Sequence, residues 1–535
     1  MSLTTGSATL LSPPPLSAPH ALRPRKLRRK ASVLDGTHVV VAAKSMASLE
    51  HLSSELLSLI CEQLRGIDQS SLWNVRRVCR RFDSIATPVS YRVFELHDRV
   101  LSACCCPRVK HHVERYTKHI IIPGSLHAPG VREVLRWVGT LKSITWRFEG
   151  HGLQDDAGQW LPRAVLDIER MRQDGIELRI EGLPLRQFDC EAYRRAIPSD
   201  LLTSLTIASP TPPLTARLDA LKHLLVHAPH LRVFAYQDRG QGTQLAFEAG
   251  ERMPPLRELS LRSYGWNHTP EQVRKHWDFS HLQSLDLTAV PYHNFLQSLD
   301  FTALGRLRHL HIEDWSAHLP DKRREATRLL HDLVNHHLRD LRSLRITCHI
   351  GLFPVDALLR HGHSLEDLRF RDHVGFTDDK RSCPTMRASD LTRVAEGLPC
   401  LRRLEIDMDI QGPESQRFLD ALCLCPRLEE VTLHVQTLIT PCGESIPTHD
   451  VDRIASQRIF NRLLSRQRPW KSITMNVGGW RRVMVRRLDP LWREYNDMGI
   501  FAERCFVLSA RDGRYEVREE RCIEAGSSRA TPDIE

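Results

Sequence analysis

Leucines recur through most of the chain in a fixed six-residue frame, Leu-x-x-Leu-x-apolar, often just after a proline. The frame begins at Leu141 (LKSITW), Leu185 (LRQFDC), Leu202 (LTSLTI), Leu231 (LRVFAY), Leu256 (LRELSL) and Leu282 (LQSLDL). It continues at Leu307 (LRHLHI), Leu341 (LRSLRI), Leu365 (LEDLRF), Leu401 (LRRLEI), Leu428 (LEEVTL) and Trp470 (WKSITM). Alternate residues of a strand face one side, so the fourth and sixth positions of each frame point inward together. The first leucine fills the corner where the chain turns into the strand. The polar residues between, among them Arg257, Glu258, Gln283, Arg308, Arg342, Glu366, Arg402 and Glu429, are expected on the solvent side of a sheet. Their mixed charge names no ligand.

The stretches ahead of these strands carry helical spacing. LDALKHLLVHAPHL sets Leu218, Leu221, Leu224 and Leu225 on one stripe, and Pro229 stops it. LTRVAEGLPCL repeats the device with Leu391, Val394, Leu398 and Pro399, and RFLDALCLCPRL does so with Leu419, Leu422 and Pro426. Each unit therefore reads as a helix, a proline-marked stop and a short strand. One such unit cannot bury its apolar face alone, whereas stacked neighbours share a core.

Several successive frames lie between 24 and 29 residues apart, as from 202 to 231 and from 401 to 428, with longer gaps after 307, 365 and 428. A period in this range with L-x-x-L-x-L marks a leucine-rich repeat. The asparagine that usually follows the strand in regular arrays is missing, so an irregular array is expected. The predicted fold class is an α/β repeat over residues 96–485: a solenoid with a curved parallel sheet and helices on the convex side. Residues 486–520, with REYNDMGIF and RYEVREERC, read as a capping segment, and 521–535 as a disordered tail.

The stretch from Ser48 to Pro88 follows a different rhythm. Leu52, Leu56, Leu57, Ile60 and Leu64 lie on one helical face, with Ser53 or Ser54 as cap and Gly66 at the end. Asp68 can cap a second helix through Leu72, Val75, Val78, Cys79, Phe82 and Ile85, closed by Thr87-Pro88. YRVFEL, from Tyr91, reads as a strand. Two or three short helices in about forty residues make too small a core to stand alone, so such a unit needs a partner, a metal or a staple. Metal ligands are missing, and Cys61 and Cys79 are lone. A partner is the remaining option, and a helical cap on the first repeat is the alternative.

This stretch resembles an F-box, whose pattern runs Leu-Pro-x-Glu-Leu-Leu, then Ile and Leu at helical steps, then Leu-x-x-Val-Cys-Arg-x-Phe. Leu52, Glu55, Leu56, Leu57, Ile60, Leu64, Leu72, Val75, Val78, Cys79, Arg80 and Phe82 match it. Ser53 departs from it, standing where the family has proline. The resemblance covers 46–95, and its place ahead of leucine-rich repeats is the usual order in F-box proteins. It implies a substrate receptor: the F-box docks on a Skp-type adaptor joined to a cullin-RING ubiquitin ligase, and the repeats hold a protein substrate for ubiquitin-dependent degradation. It implies no catalysis by this chain, and Leu52, Ser53, Glu55, Leu56, Leu57, Ile60, Leu64, Leu72, Val75, Val78, Cys79 and Phe82 as the adaptor-binding set. The sequence does not separate residues that build the unit from those that face the adaptor. A repeat scaffold without a ligase role is the alternative.

Composition narrows the rest. With 535 residues the chain is too long for one compact core and fits two to four domains or an elongated array. Fourteen cysteines without framework spacing fit free thiols in a reducing compartment. No signal peptide and no apolar run of about 18 residues is visible, so a cytoplasmic or nuclear protein without membrane association is expected. Net charge is +10, but RPRKLRRK (23–30) carries six of those charges, leaving +4 for the remainder, so nucleic-acid binding by the folded part is not expected. Residues 1–45, rich in Ser and Pro, read as a disordered basic tail. That tail suits a nuclear localisation signal, a transit peptide or a plain solvated extension ahead of a start at Met46. CCCPRVKHH (104–112) sets its cysteines too close together for a tetrahedral zinc site, and NHHLRDL places two surface histidines on a helix. The CLC at 423–425 reads as core, and GQGTQ lacks a phosphate-loop pattern. No catalytic signature is present, and no cofactor is implied.

Overall fold

The computed structural model describes residues 49–101, 106–148, 161–184, 195–208, 218–237, 243–313, 320–372, 385–438, 450–466, 469–478, 504–511 and 514–520. The chain divides into two compact units, Met1–Ser53 and Ser54–Glu535. In the first, the described residues are 49–53 and include the 3-10 turn Leu49–His51. The expected tails at 1–45 and 521–535, the frame at Leu185 and the REYNDMGIF stretch lie outside the described residues.

In the second unit, the six-residue frames become strands. Eleven of the twelve are described, and all but the one at Leu202 enter their strand at the third position. The strands are β1 (Val93–Glu95), β2 (His119–Pro123), β3 (Ser143–Arg147), β4 (Glu177–Pro184), β5 (Leu202–Ala208), β6 (Val233–Gln237), β7 (Glu258–Arg262) and β8 (Ser284–Thr288). They continue as β9 (His309–Glu313), β10 (Ser343–Cys348), β11 (Asp367–Asp372), β12 (Arg403–Met408), β13 (Glu430–Val435), β14 (Ser472–Val477), β15 (Arg504–Arg511) and β16 (Arg514–Glu520). Each pairs with its neighbour in sequence, in one open sheet ordered β1 to β16. All pairs from β1 to β14 are parallel, and β15 and β16 add antiparallel. This is an α/β fold built on a long, mostly parallel sheet, compatible with a repeat solenoid.

The inward positions behave as the alternation requires. Leu259 and Leu261, Leu285 and Leu287, Leu404 and Ile406, and Ile473 and Met475 are all buried. So are the corner residues Leu256, Leu282, Leu307, Leu341, Leu365, Leu401, Leu428 and Trp470. The helices join the same continuous core, through Leu221 and Leu224 of Asp219–Val226, Leu391 and Val394 of Ala388–Gly397, and Phe418 of Ser415–Leu422. The long gap after 307 holds a longer helix, Pro320–Asp332, running into a π-helical turn, Leu333–His337. The gap after 428 likewise holds the 14-residue helix Val451–Leu464.

Five strands, β1, β2, β4, β15 and β16, lie where no leucine frame stands, and two of them, β2 and β4, interrupt the run of frames. Before β2 the corner is Thr117, and before β4 it is Gly175, at φ +65°, with Ile176 buried beside it. The inward pairs Ile120 with Ile122 and Leu178 with Ile180 follow the usual alternation. A missing corner leucine hid both strands.

Candidate interaction surfaces

Ahead of the sheet come three helices, α1 (Ser54–Ile67), α2 (Gln69–Arg76) and α3 (Arg80–Tyr91). Asp68 caps α2 as its position predicts: its carboxylate accepts from the Ser70 backbone N–H at 2.9 Å, from Ser70 Oγ at 2.7 Å and from Ser71 Oγ. Those hydroxyls hold the Asp68 carboxyl down at about 2. The expected single second helix is instead two, broken at Arg77–Cys79, and Thr87-Pro88 lies inside α3 rather than closing it. Proline removes one donor but leaves the earlier turns intact, so the helix survives to Tyr91. Gly66 likewise falls inside α1, which runs one residue further.

The helices surround a small core of Cys61, Leu72, Ala86 and Val89, with Leu64, Val75 and Ile85 half-buried against it. Leu57 is buried too, at 4% exposed. The guanidinium of Arg76 lies 4.7 Å from the Trp73 ring centre and 5.3 Å from that of Tyr91, and its Nε donates to Asp83 at 2.9 Å. Burial works against the Asp83 charge, yet Arg76 and Thr87 hold its carboxyl below the usual range. Glu62 pairs with Arg92 at 2.7 Å, tying α1 to the residue that leads into β1.

The remaining apolar side chains face outward. Leu56 is 50% exposed, Ile60 45% and Val78 63%, and Leu59, Ile67 and Trp73 are exposed as well. On α1 the positions 56, 59, 60, 63 and 67 form an outer stripe, with 57, 61 and 64 as the inner one. Leu59, Ile67 and Trp73 were not singled out in the sequence, although the outer stripe's own helical spacing announces the first two. Cys79 and Arg80 are exposed, Glu55 is exposed and Phe82 is half-buried. Leu52 and Ser53 belong to the first compact unit.

A second surface lies on the sheet. Among the third, fifth and seventh frame positions of β8 to β13 are charges that pair across strands. His311 Nδ1 lies 3.1 Å from Asp286, and Arg369 lies 3.4 Å from Glu313 and 3.2 Å from Glu405. Arg371 is 3.0 Å from Asp407, and His434 Nε2 is 2.8 Å from Glu405. Asp367 takes both Arg345 at 2.7 Å and Arg403 at 3.2 Å. Glu313, Asp367, Arg369, Arg371, Asp407 and His434 are buried. Burial opposes the Glu405 charge, but Arg369 and His434 hold its carboxyl well below the usual range. Burial and Arg371 push His434 down. A buried charge without a partner is costly, and here each buried charged group has an opposite one within 4 Å on another strand.

Of the positions expected on this face, Glu258, the first residue of β7, lies on it, as Asp367 and Arg403 do in β11 and β12. Arg257, Gln283, Arg308, Arg342, Glu366, Arg402 and Glu429 instead each lie one residue ahead of a strand, at the leading edge of the sheet. There each backbone N–H donates to the carbonyl of its counterpart one repeat earlier, from Arg257 to Arg232 at 2.7 Å and from Arg342 to Arg308 at 2.8 Å. The buried corner leucine forces the chain to turn at this position, which moves these side chains to the rim.

Cys106 precedes the helix Pro107–Tyr116, and Cys104 and Cys105 lie outside the described residues. Among the described residues no group of three or more His, Cys, Asp or Glu is arranged to hold a metal ion. His336 and His337 fall in the π-helical turn, and His337 meets the Phe301 ring edge-on at 5.4 Å. Of the CLC expected as core, Cys425 is buried and Cys423 half-buried, but Leu424 is exposed, because the chain leaves the helix end there. Among the described residues no helix is long and apolar enough to cross a membrane. The chain matches no protein-family model, and no curated protein matches it.

Proposed function

We propose that the chain is a non-catalytic substrate receptor of a Skp–cullin–F-box ubiquitin ligase, with an F-box at the three helices and an irregular leucine-rich-repeat solenoid behind it. One observation carries the reading. Positions that match the F-box pattern divide into an inner set, Leu57, Leu64, Leu72 and Val75, and an outward set, Leu56, Ile60 and Val78. Apolar side chains that a soluble unit leaves in water, on one small helical unit, mark a protein-binding surface. The core beside them is small, which is the condition under which a partner adds stability. A curved sheet with helices on the convex side would then present the repeats to a protein substrate.

The test is co-expression of the full chain with a Skp-type adaptor, beside an established F-box protein as positive control. The wild type retains the adaptor, and Leu56→Ala with Ile60→Ala loses it while keeping its circular dichroism spectrum. Retention by neither form, with the control retained, leaves the repeat scaffold without a ligase role as the surviving account.

A further inference from the structure

We infer that the leading edge of the sheet binds an acidic, extended protein segment. The residue just ahead of the strand is a cation in three groups of adjacent strands: Arg92, Lys118 and Lys142 before β1, β2 and β3, with Arg92 already paired to Glu62, then Arg232 and Arg257 before β6 and β7, and Arg308 and Arg342 before β9 and β10. No acid occupies this position before Glu366, ahead of β11. The row is held in register by its own backbone. The Lys142 N–H donates to the Lys118 carbonyl at 2.7 Å, as Arg257 does to Arg232 and Arg342 to Arg308.

The spacing makes each group act together. Neighbouring strands lie about 4.8 Å apart, inside a screening length of about 8 Å at physiological salt, so neighbouring charges of a group reinforce one another. Their own partners are few. Arg232 reaches Glu177 at 3.5 Å, and Arg257 donates to the Gln283 side chain at 3.3 Å. Arg308 and Arg342 have no ion-pair partner among the described residues. Between the turns leading into β8, β9 and β10 a groove is lined by Gln283, Arg306, Arg308 and Asp340, and its one acid is held by His363 at 3.0 Å. The buried charges on the sheet face, by contrast, each lie beside an opposite charge on another strand.

The observations favour an acidic peptide over a nucleic acid. Single-stranded nucleic acid is gripped by cations together with aromatic rings on which bases stack. Among the described residues between 79 and 514 the exposed large apolar ones are Leu161, Leu424 and Ile454, and none is aromatic. Guanidinium groups match carboxylates in two-pronged hydrogen bonds. From β2 to β10 the row spans about 38 Å, the length of an extended segment of about a dozen residues. This deepens the substrate-holding half of the proposed function. Its assay contains no adaptor, so the two readings stand or fall separately.

The test is fluorescence anisotropy of the full chain with a labelled twelve-residue glutamate peptide, its glutamine counterpart and an oligouridylate. Three proteins are compared: wild type; Arg257→Glu with Arg308→Glu and Arg342→Glu; and a charge-matched control on the helices, Arg274→Glu with Arg417→Glu and Arg458→Glu. Wild type binds the glutamate peptide and not the glutamine one. The rim variant weakens this by about tenfold or more, the control by less than about twofold, and raising the salt weakens the wild type. The basic run at 23–30 is common to all three and cancels. Alanine at the same three rim positions gives a second reading that does not depend on tolerance of charge reversal. Equal loss in rim and control variants, equal binding of the two peptides, or tighter rim-dependent binding of oligouridylate overturns the inference.

Discussion

At the scale of residues, Leu56 and Leu57 are adjacent yet have opposite roles. Leu57 is 4% exposed and Leu56 50%. Leu57→Ala is therefore expected to lower unfolding stability by about 2–5 kcal/mol, as for other buried leucines. Leu56→Ala is expected to stay within about 0.5 kcal/mol of wild type. Urea unfolding followed by circular dichroism separates them. Sequence alone could name both residues and not their directions, because a helix of this length carries apolar side chains on two stripes. Only the placement of α2 and α3 decides which stripe is covered.

His268 supplies a second prediction at this scale. The Tyr264 hydroxyl accepts from the Leu245 backbone N–H at 2.8 Å, so its own proton points to His268 Nε2 at 2.9 Å, which keeps the imidazole neutral. Burial, helped by nearby His276, pushes His268 down to about 4. The unfolded chain therefore takes up this proton first. Its contribution to stability is complete above the usual value of 6.5 and is lost as pH falls from 6.5 through 4. Buried His361 and His434 act in the same direction. The thermal midpoint is expected to fall between pH 7.5 and 4.5, and His268→Gln to make that fall smaller. An unchanged pH slope in the variant would contradict this.

At the scale of elements, the leucine frames located strands to within a residue or two, because period-two burial and a corner leucine are both written in the sequence. Besides the terminal strands β1, β15 and β16, what the frames did not locate were β2 and β4, whose corners are Thr117 and Gly175. Nor did they place the polar residues on face or rim, since that depends on where the chain turns. The cross-strand charge network at Glu313, Arg369, Glu405 and His434 was equally hidden, because partners 29 to 56 residues apart meet only through strand register. Helix contacts also depend on single small residues. A side chain at Gly362 would strike the Gly397 carbonyl oxygen, where the turn after Asp356–Leu359 meets the end of Ala388–Gly397. Gly362→Ala is expected to cost about 1–3 kcal/mol, because backbone rather than a flexible side chain must give way. Chemical unfolding beside Gly351→Ala, where a Cβ meets nothing within 4 Å, provides the control.

At the scale of the whole molecule, a small helical unit with outward apolar side chains stands at the head of a sheet whose own charges are mostly paired internally. The described sheet shares one continuous core that takes in Tyr91 at the end of α3, while Cys61, Leu72, Ala86 and Val89 form a small cluster of their own. The direct measurement is calorimetric titration of a purified Skp-type adaptor into the purified full chain. The account predicts saturable binding of one adaptor per chain, weakened by more than about tenfold in Leu56→Ala with Ile60→Ala and unchanged in the rim variant that disrupts peptide binding. No binding by a folded wild-type chain, or equal binding by the Leu56 and Ile60 variant, would contradict it.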